Sequence, residues 1–131
     1  MTPVTRNLLL VEDEIYIRDM YYRVLTEKGY LVEVAQDGQE ALDKLMRPGI
    51  MYDLVILDIL LPKVDGISIL RKIKAGDSHI KSTPVILLTN LGTESLIAEA
   101  ISLGAEKYFI KADLLPKDIA LEVDKFFSPS D

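Results

Sequence analysis

The chain has 131 residues, 49% of them hydrophobic and 27% charged, which is typical of one folded domain, and it contains no cysteine and only one histidine, His79. These counts exclude disulfides, thiolate metal sites and multi-histidine metal sites. The net charge of -6 argues against direct nucleic-acid binding, and no apolar run reaches the roughly 18 residues of a membrane span, so we expect a cytoplasmic protein without membrane contact.

Short apolar runs alternate with helical patterns along the chain. In order they predict a strand at 8–11, a helix at 15–28, a weaker strand at 31–34, a helix at 38–47, a strand at 54–57, a helix at 66–75, a strand at 85–88, a helix at 93–103, a strand at 108–110 and a helix at 116–127. Runs of Val, Ile and Leu without polar alternation are typical of strands covered on both faces. In the first helix, Ile17, Met20, Tyr21, Val24 and Leu25 are expected to face the core.

This alternation predicts a single α/β domain over residues 1–131, with a core at 7–127 and flexible ends at 1–6 and 128–131. Alternating strands and helices predict a parallel sheet with right-handed crossovers and helices on both faces. Ligands of such sheets bind beyond the carboxyl ends of the strands. The residues directly after each apolar run are therefore the candidate site.

Polar residues with complementary chemistry follow four of the runs. They are Glu12, Asp13 and Glu14 after the first run, Asp58 after the run at 54–57, Thr89 after the run at 85–88, and Lys111 after the last. Taken singly, each has an ordinary explanation, since acids begin helices and turns, a threonine can cap a helix, and a lysine can be a surface charge. Together they predict one acidic rim, where neighbouring carboxylates repel and a hard cation such as Mg²⁺ relieves the repulsion.

Four motifs, in this order and spacing, resemble the receiver domain of two-component response regulators of the chemotaxis-regulator type. They are L-L-V-E-D-E, D-L-V-I-L-D-I-L-L-P-K-V-D-G, P-V-I-L-L-T and G-A-E-K-Y-F-I-K, within a resemblance that runs from Asn7 to Phe127. The resemblance implies a doubly wound (βα)5 fold with a five-stranded parallel sheet in the strand order 2-1-3-4-5. It also implies a phosphorelay signalling switch, which catalyses its own phosphorylation and dephosphorylation but is not a dedicated enzyme.

The same resemblance assigns a phosphoryl acceptor and a magnesium site. Asp58 is expected to attack the phosphohistidine of a sensor histidine kinase or phosphotransfer protein and to become an aspartyl phosphate. Asp13, Asp58 and the backbone carbonyl of Leu60 are expected to bind Mg²⁺, with Glu12 acting through a water molecule. Glu14 is expected to begin a helix without a metal role.

Three further residues complete the site that the resemblance implies. Thr89 is expected to donate a hydrogen bond to the phosphoryl group, and Lys111 to supply a positive charge there and to pair with Asp58 when no phosphate is bound. Tyr108 stands at the position of the switch aromatic, which follows Thr89 inward on phosphorylation. We expect this movement to change a face formed by the fourth helix, fifth strand and fifth helix.

That face, at 97–101, 107–109 and 118–122, is where we expect a downstream protein, a missing output domain or a phosphorylation-dependent homodimer to bind. No output domain follows Phe127, so the expectation is either a stand-alone regulator or a piece of a longer one.

Two departures from the family pattern bear on the site. Ala112 follows Lys111, where the family usually has proline, and because a cis bond without proline costs about 3 kcal/mol, we expect a trans peptide there. Asn90 and Leu91 follow Thr89, where the family more often has a small residue first. We expect Asn90 to narrow the access of hydrolytic water and to prolong the phosphorylated state.

Other functions fit the sequence less well. Flavin-binding proteins can share this topology, but the three acids of this chain at 12–14 would repel the flavin phosphate. A P-loop NTPase would need a glycine-rich phosphate-binding motif, which this sequence lacks. A dehalogenase-like phosphatase would need a second acid where Leu60 stands. The remaining alternative is a receiver-like interaction module that phosphorylation does not regulate.

Overall fold

Strands and helices alternate along the chain in the computed structural model, which describes residues 5–90 and 92–128. The strands are β1 (Asn7–Val11), β2 (Leu31–Ala35), β3 (Leu54–Leu57), β4 (Val85–Thr89) and β5 (Lys107–Ile110). The helices are α1 (Ile15–Glu27), α2 (Gly38–Leu45), α3 (Gly66–Lys74), α4 (Glu94–Ser102) and α5 (Pro116–Phe127), with a 3-10 turn at Lys111–Asp113. The ends expected to be flexible fall largely outside the described residues, as does Leu91. Within the described ranges, no helix has the length and apolar character needed to cross a membrane.

The five strands form one parallel sheet in the order β2-β1-β3-β4-β5, which confirms the predicted fold. Val11 lies beside Leu57, Leu57 beside Leu87, and Thr89 beside Ile110. Because the strands run in the same direction and end at nearly the same level, the residues that follow β1, β3 and β5 meet at one edge of the sheet, where β4 also ends.

Each face of the sheet is covered by its own apolar core. On β1, Leu8 and Leu10 pack with residues of α1 and α5, whereas Leu9 and Val11 pack with residues of α2, α3 and α4. Burial of each of these leucines stabilises the fold by about 2 kcal/mol. The central strands β1, β3 and β4 are buried almost throughout, while β2 and β5 are partly exposed edge strands. Exposure at the edge explains why the sequence pattern of β2 is weak.

The core-facing side of α1 matches the prediction except at one residue. Tyr21 and Leu25 are buried, and Ile17 and Val24 are partly buried against the same core. The prediction for Met20 is wrong, since its side chain is 47% exposed. Successive helical residues point about 100° apart, so a helix that turns Tyr21 to the sheet turns Met20 toward solvent.

Carboxylates begin three of the helices. Glu14 Oε2 accepts a hydrogen bond from the Ile17 N–H at 2.8 Å, and Asp37 and Asp65 cap α2 and α3 in the same way. These caps satisfy N–H groups that the first helical turn leaves free, and they place negative charge at the positive end of the helix. The predicted role of Glu14 as a helix-start acid is therefore confirmed.

Candidate functional site at the carboxyl edge of the sheet

The acids after β1 and β3 are brought together by the backbone of the strands themselves. Glu12 donates its N–H to the Ala35 carbonyl at 3.0 Å, and Asp58 donates its N–H to the Val11 carbonyl at 3.2 Å. Both bonds extend the parallel ladder by one residue, so Glu12 and Asp58 leave neighbouring strands at the same level. Each of these two residues is only 1% exposed.

Lys111 lies between these two buried carboxylates. Its Nζ is 2.7 Å from Asp58 Oδ2 and 2.6 Å from Glu12 Oε1. The pairing with Asp58 is the one expected in the absence of phosphate. The pairing with Glu12 was not expected from the sequence, which assigned Glu12 to the metal alone.

The charges of this cluster are set by burial and by the ion pairs. Burial raises the pKa of Asp58 and the pKa of Glu12, and in both cases Lys111 opposes the rise. Burial lowers the pKa of Lys111, but its hydrogen bonds to Asp58 and Glu12 outweigh this effect, so the pKa is raised overall. One ammonium group thus faces two carboxylates, and the rim keeps an excess of negative charge.

Asp13 adds a third carboxylate on the solvent side of the same cluster. One carboxylate oxygen each of Glu12, Asp13 and Asp58 can be chosen so that all lie within 4.8 Å of one another, and Asp13 is exposed. An all-oxygen set that is open to water on one side suits a hard divalent cation such as Mg²⁺. The residues present therefore fit the expected metal.

Leu60 lies beside the acceptor through its backbone. The Leu60 N–H donates to Asp58 Oδ1 at 3.2 Å, which orients the carboxylate, while the leucine side chain is 49% exposed. The role of the Leu60 carbonyl as a metal ligand stays a prediction.

Thr89 ends β4 at the same edge and carries a free hydroxyl. Its side chain is fully buried, and its Oγ1 has no hydrogen-bond partner among the described residues. Thr89 lies within β4, so the alternative that it caps the following helix is wrong; the residue before α4 is Thr93, whose hydroxyl donates to the Asn90 carbonyl at 2.9 Å. A buried hydroxyl without a partner costs stability, typically 1–3 kcal/mol, and is available to a ligand.

Tyr108 and the turn after β5 complete the surroundings. The Tyr108 side chain is 49% exposed to solvent. The Lys111–Ala112 peptide is trans, as expected, and the 3-10 turn that starts at Lys111 is closed by the Leu114 N–H, which donates to the Lys111 carbonyl at 3.3 Å. Lys111 therefore reaches Asp58 without a cis peptide. Asn90 is exposed directly after Thr89.

Two residues that shape the site were missed from the sequence. Arg18, on the first turns of α1, donates from Nη1 to the Glu12 carbonyl at 3.0 Å. Gly66, at the start of α3, approaches the backbone so closely that an added Cβ would lie 2.4 Å from the Asp58 carbonyl oxygen. Neither tertiary contact has a local sequence signal.

Comparison with known proteins places this site in a family. A family profile described as the response regulator receiver domain matches residues 8–120. The chemotaxis protein CheY of Treponema pallidum is 38% identical over 108 residues, which are 80% of this chain and 72% of that protein. The transcriptional regulatory protein ResD of Bacillus subtilis is 33% identical over 117 residues, which are 89% of this chain but only 46% of ResD. The chain thus spans less than half the length of this second relative.

Solved structures agree in fold along nearly the whole chain. The phosphorylated cyanobacterial phytochrome response regulator RcpA is similar with a TM-score of 0.86 at 26% identity, covering 98% of this chain and 97% of that chain. The chemotaxis response regulator CheY4 of Vibrio cholerae gives a TM-score of 0.81 at 28% identity, covering 93% of this chain and 98% of that chain. The family profile covers most of the sheet and helices, and it includes every residue of the rim. This chain belongs to the response regulator receiver domain family of two-component systems.

Proposed function

We propose that this domain is a signalling switch that accepts a phosphoryl group on Asp58 from the phosphohistidine of a sensor histidine kinase or a phosphotransfer protein. The observation that carries the proposal is the arrangement of Asp58, which is buried at a strand end, paired with Lys111 and surrounded by acids. Such an arrangement costs stability unless the negative charge is used to bind a cation.

The proposed transfer needs no general base. A carboxylate oxygen of Asp58 attacks the phosphorus, the bond from phosphorus to the histidine nitrogen breaks, and its electron pair stays on the imidazole. Lys111, already 2.7 Å from Asp58, supplies positive charge to the transferred group. Mg²⁺, held by Asp13, Asp58 and the Leu60 carbonyl with Glu12 acting through water, would offset the negative charge that the phosphoryl oxygens carry.

The switch is proposed to run from Thr89 to Tyr108. The unpartnered Thr89 hydroxyl gains an acceptor when a phosphoryl oxygen arrives, and the exposed Tyr108 ring moves inward as Thr89 shifts toward the rim. The phosphorylated state is favoured by the hydrogen bond that Thr89 lacks in this structure.

The proposed output surface is the face of α4, β5 and α5. Ile101 on α4, Tyr108 on β5 and Leu121 on α5 are each exposed by 41% or more, which supports a surface that a partner covers. Its occupant is a downstream protein, an output domain of a longer chain or a second phosphorylated copy. We place this exchange in the cytoplasm.

Phosphorylation by a small donor tests the proposal. The protein is incubated with acetyl phosphate and either Mg²⁺ or excess chelator, and its mass is measured. We expect one added phosphoryl group with Mg²⁺ and none with chelator, and beryllofluoride with Mg²⁺ should shift the amide resonances of Thr89 and Tyr108. No mass change and no shift would favour the alternative, an interaction module that phosphorylation does not regulate.

Replacement of Thr89 by valine should stabilise the fold and impair the switch. Valine removes the unpartnered hydroxyl, so urea denaturation should give a free energy of unfolding about 1 kcal/mol higher. Beryllofluoride should then fail to move the Tyr108 resonances, whereas Thr89→Ser should respond as the wild type does.

The matched control for this pair of effects is Thr83→Val. Thr83 precedes β4 at the opposite end, and its Oγ1 is also buried without a partner among the described residues. This variant should gain similar stability but keep the beryllofluoride response. A loss of response in both variants would show that the Thr89 effect is not specific to the rim.

Replacement of Asp13 by asparagine should weaken Mg²⁺ binding at least about tenfold, because the cluster loses a charged oxygen ligand. Ligand binding raises stability by RT ln(1 + [L]/Kd), which is about 2.7 kcal/mol at a hundred times Kd and about 1.4 kcal/mol after a tenfold loss of affinity. Thermal unfolding with and without Mg²⁺ measures these increments. Asp19→Asn, an exposed acid on α1, should keep the full increment.

A further inference from the structure

Arg18 fixes the backbone of the turn that carries the acids after β1. Its side chain is partly buried, and its Nη1 donates to the Glu12 carbonyl at 3.0 Å. This carbonyl belongs to the peptide group that joins Glu12 to Asp13. The guanidinium therefore holds the peptide plane from which the exposed Asp13 side chain projects.

Other bonds hold the same turn on either side of Asp13. The Glu12 N–H is bonded to Ala35, the Glu14 N–H donates to Glu12 Oε2 at 3.1 Å, and the Arg18 N–H donates to the Glu14 carbonyl at 2.9 Å. The Arg18 side chain adds a bond to the Glu12 carbonyl, directly before Asp13. Without it, the Glu12–Asp13 peptide could rotate while the flanking bonds stayed in place.

A cation at this place is unfavourable if the turn only has to attract a metal ion. Arg18 brings positive charge close to the acidic cluster, and this repels every divalent cation by about the same amount. The benefit of Arg18 must then lie in geometry. Mg²⁺ demands near-ideal octahedral ligands at about 2.0–2.1 Å, whereas Ca²⁺ accepts flexible arrangements at about 2.3–2.6 Å. A rigid turn favours the first ion over the second.

We infer that Arg18 is a positioning residue that makes the acidic site select Mg²⁺ over Ca²⁺, by fixing the peptide group in front of Asp13. This inference rests on the metal site of the proposed function. It assigns to Arg18 a role in metal specificity that is separate from metal affinity, and the two can be measured apart.

The test compares two ions in matched variants of the full chain. Mg²⁺ and Ca²⁺ are titrated into metal-free protein by calorimetry, for the wild type and for Arg18→Met, Arg18→Lys and Arg23→Met. Loss of the charge should tighten both ions by the same factor, but the ratio of the Ca²⁺ and Mg²⁺ dissociation constants should fall about tenfold in Arg18→Met. Arg18→Lys, which keeps a charged donor, should give an intermediate ratio. Arg23 is exposed farther along α1, and its replacement should leave the ratio unchanged.

The outcomes separate this inference from the proposed function. An unchanged ratio in Arg18→Met, in a wild type that binds Mg²⁺, overturns the role of Arg18 and leaves the metal site standing. A wild type that binds neither ion overturns the metal site itself. If Arg18→Met is unfolded by circular dichroism, Arg18→Lys decides the question, since a ratio equal to that of the wild type would then overturn the inference.

Discussion

Asp58→Asn is expected to lower Mg²⁺-dependent phosphorylation by at least about a hundredfold while the sheet stays folded. The asparagine amide keeps the shape of the side chain but removes the nucleophilic carboxylate. The Leu60 N–H can still donate to the amide oxygen, as it does to Asp58 Oδ1. Lys111 keeps its second partner, Glu12, at 2.6 Å, so the substitution does not leave a buried ammonium group without an acid.

The fold should tolerate this change because the native carboxylate is held at a cost. Burial raises the pKa of Asp58, which means that the surroundings disfavour its charged form, and only Lys111 and the Leu60 N–H oppose this. A neutral side chain avoids that cost. We therefore expect the free energy of unfolding to change by less than about 1 kcal/mol, and urea denaturation checks this.

The matched control is Asp53→Asn at the opposite end of β3. The Asp53 carboxylate accepts a hydrogen bond from the Asn7 N–H at 2.7 Å, far along the strand from the rim. This variant should be phosphorylated by acetyl phosphate like the wild type. Undiminished phosphorylation of Asp58→Asn, with the mass shift mapped to another residue, would contradict the assignment of the acceptor.

The central part of the fold could be predicted because its strands are unbroken apolar runs. The strand β3 is buried on both faces and consists only of Leu, Val and Ile, and a run this short is more typical of a strand than of a helix. The edge strand β2 is covered less completely, so its polar residues blur the pattern. The strand order followed from the family resemblance, since strand and helix alternation alone fits several orders.

The sequence was enough to predict which residues form the candidate site, but not which contacts their side chains make. Asp58, Glu12, Thr89 and Lys111 could be placed together because parallel strands end at one edge. The bond between Lys111 and Glu12, like the free Thr89 hydroxyl, depends on side-chain directions that no sequence pattern encodes. The contacts of Arg18 and Gly66 join segments through tertiary packing, which a local reading of the chain does not reach.

Gly66→Ala is expected to destabilise the domain by about 3 kcal/mol and to disturb the acceptor. A Cβ on Gly66 would lie 2.4 Å from the Asp58 carbonyl oxygen and 2.7 Å from Ile59 Cα, and both atoms belong to backbone that cannot rotate away. The Gly66 N–H also donates to the Ile59 carbonyl at 2.7 Å, so α3 cannot withdraw without losing this bond. Urea denaturation measures the loss of stability.

The same contact ties the stability of α3 to the chemistry of the rim. Relief of the overlap requires α3 to move outward or the residues after β3 to shift, and the second movement displaces Asp58 from Lys111. At a temperature where Gly66→Ala is still folded, its phosphorylation by acetyl phosphate should therefore be slower than that of the wild type.

Gly76→Ala is the matched control, since a Cβ there meets nothing within 4 Å. That variant should be as stable as the wild type or up to about 1 kcal/mol more stable, and equally fast. A Gly66→Ala variant with wild-type stability and rate would show that the start of α3 moves freely away from Asp58.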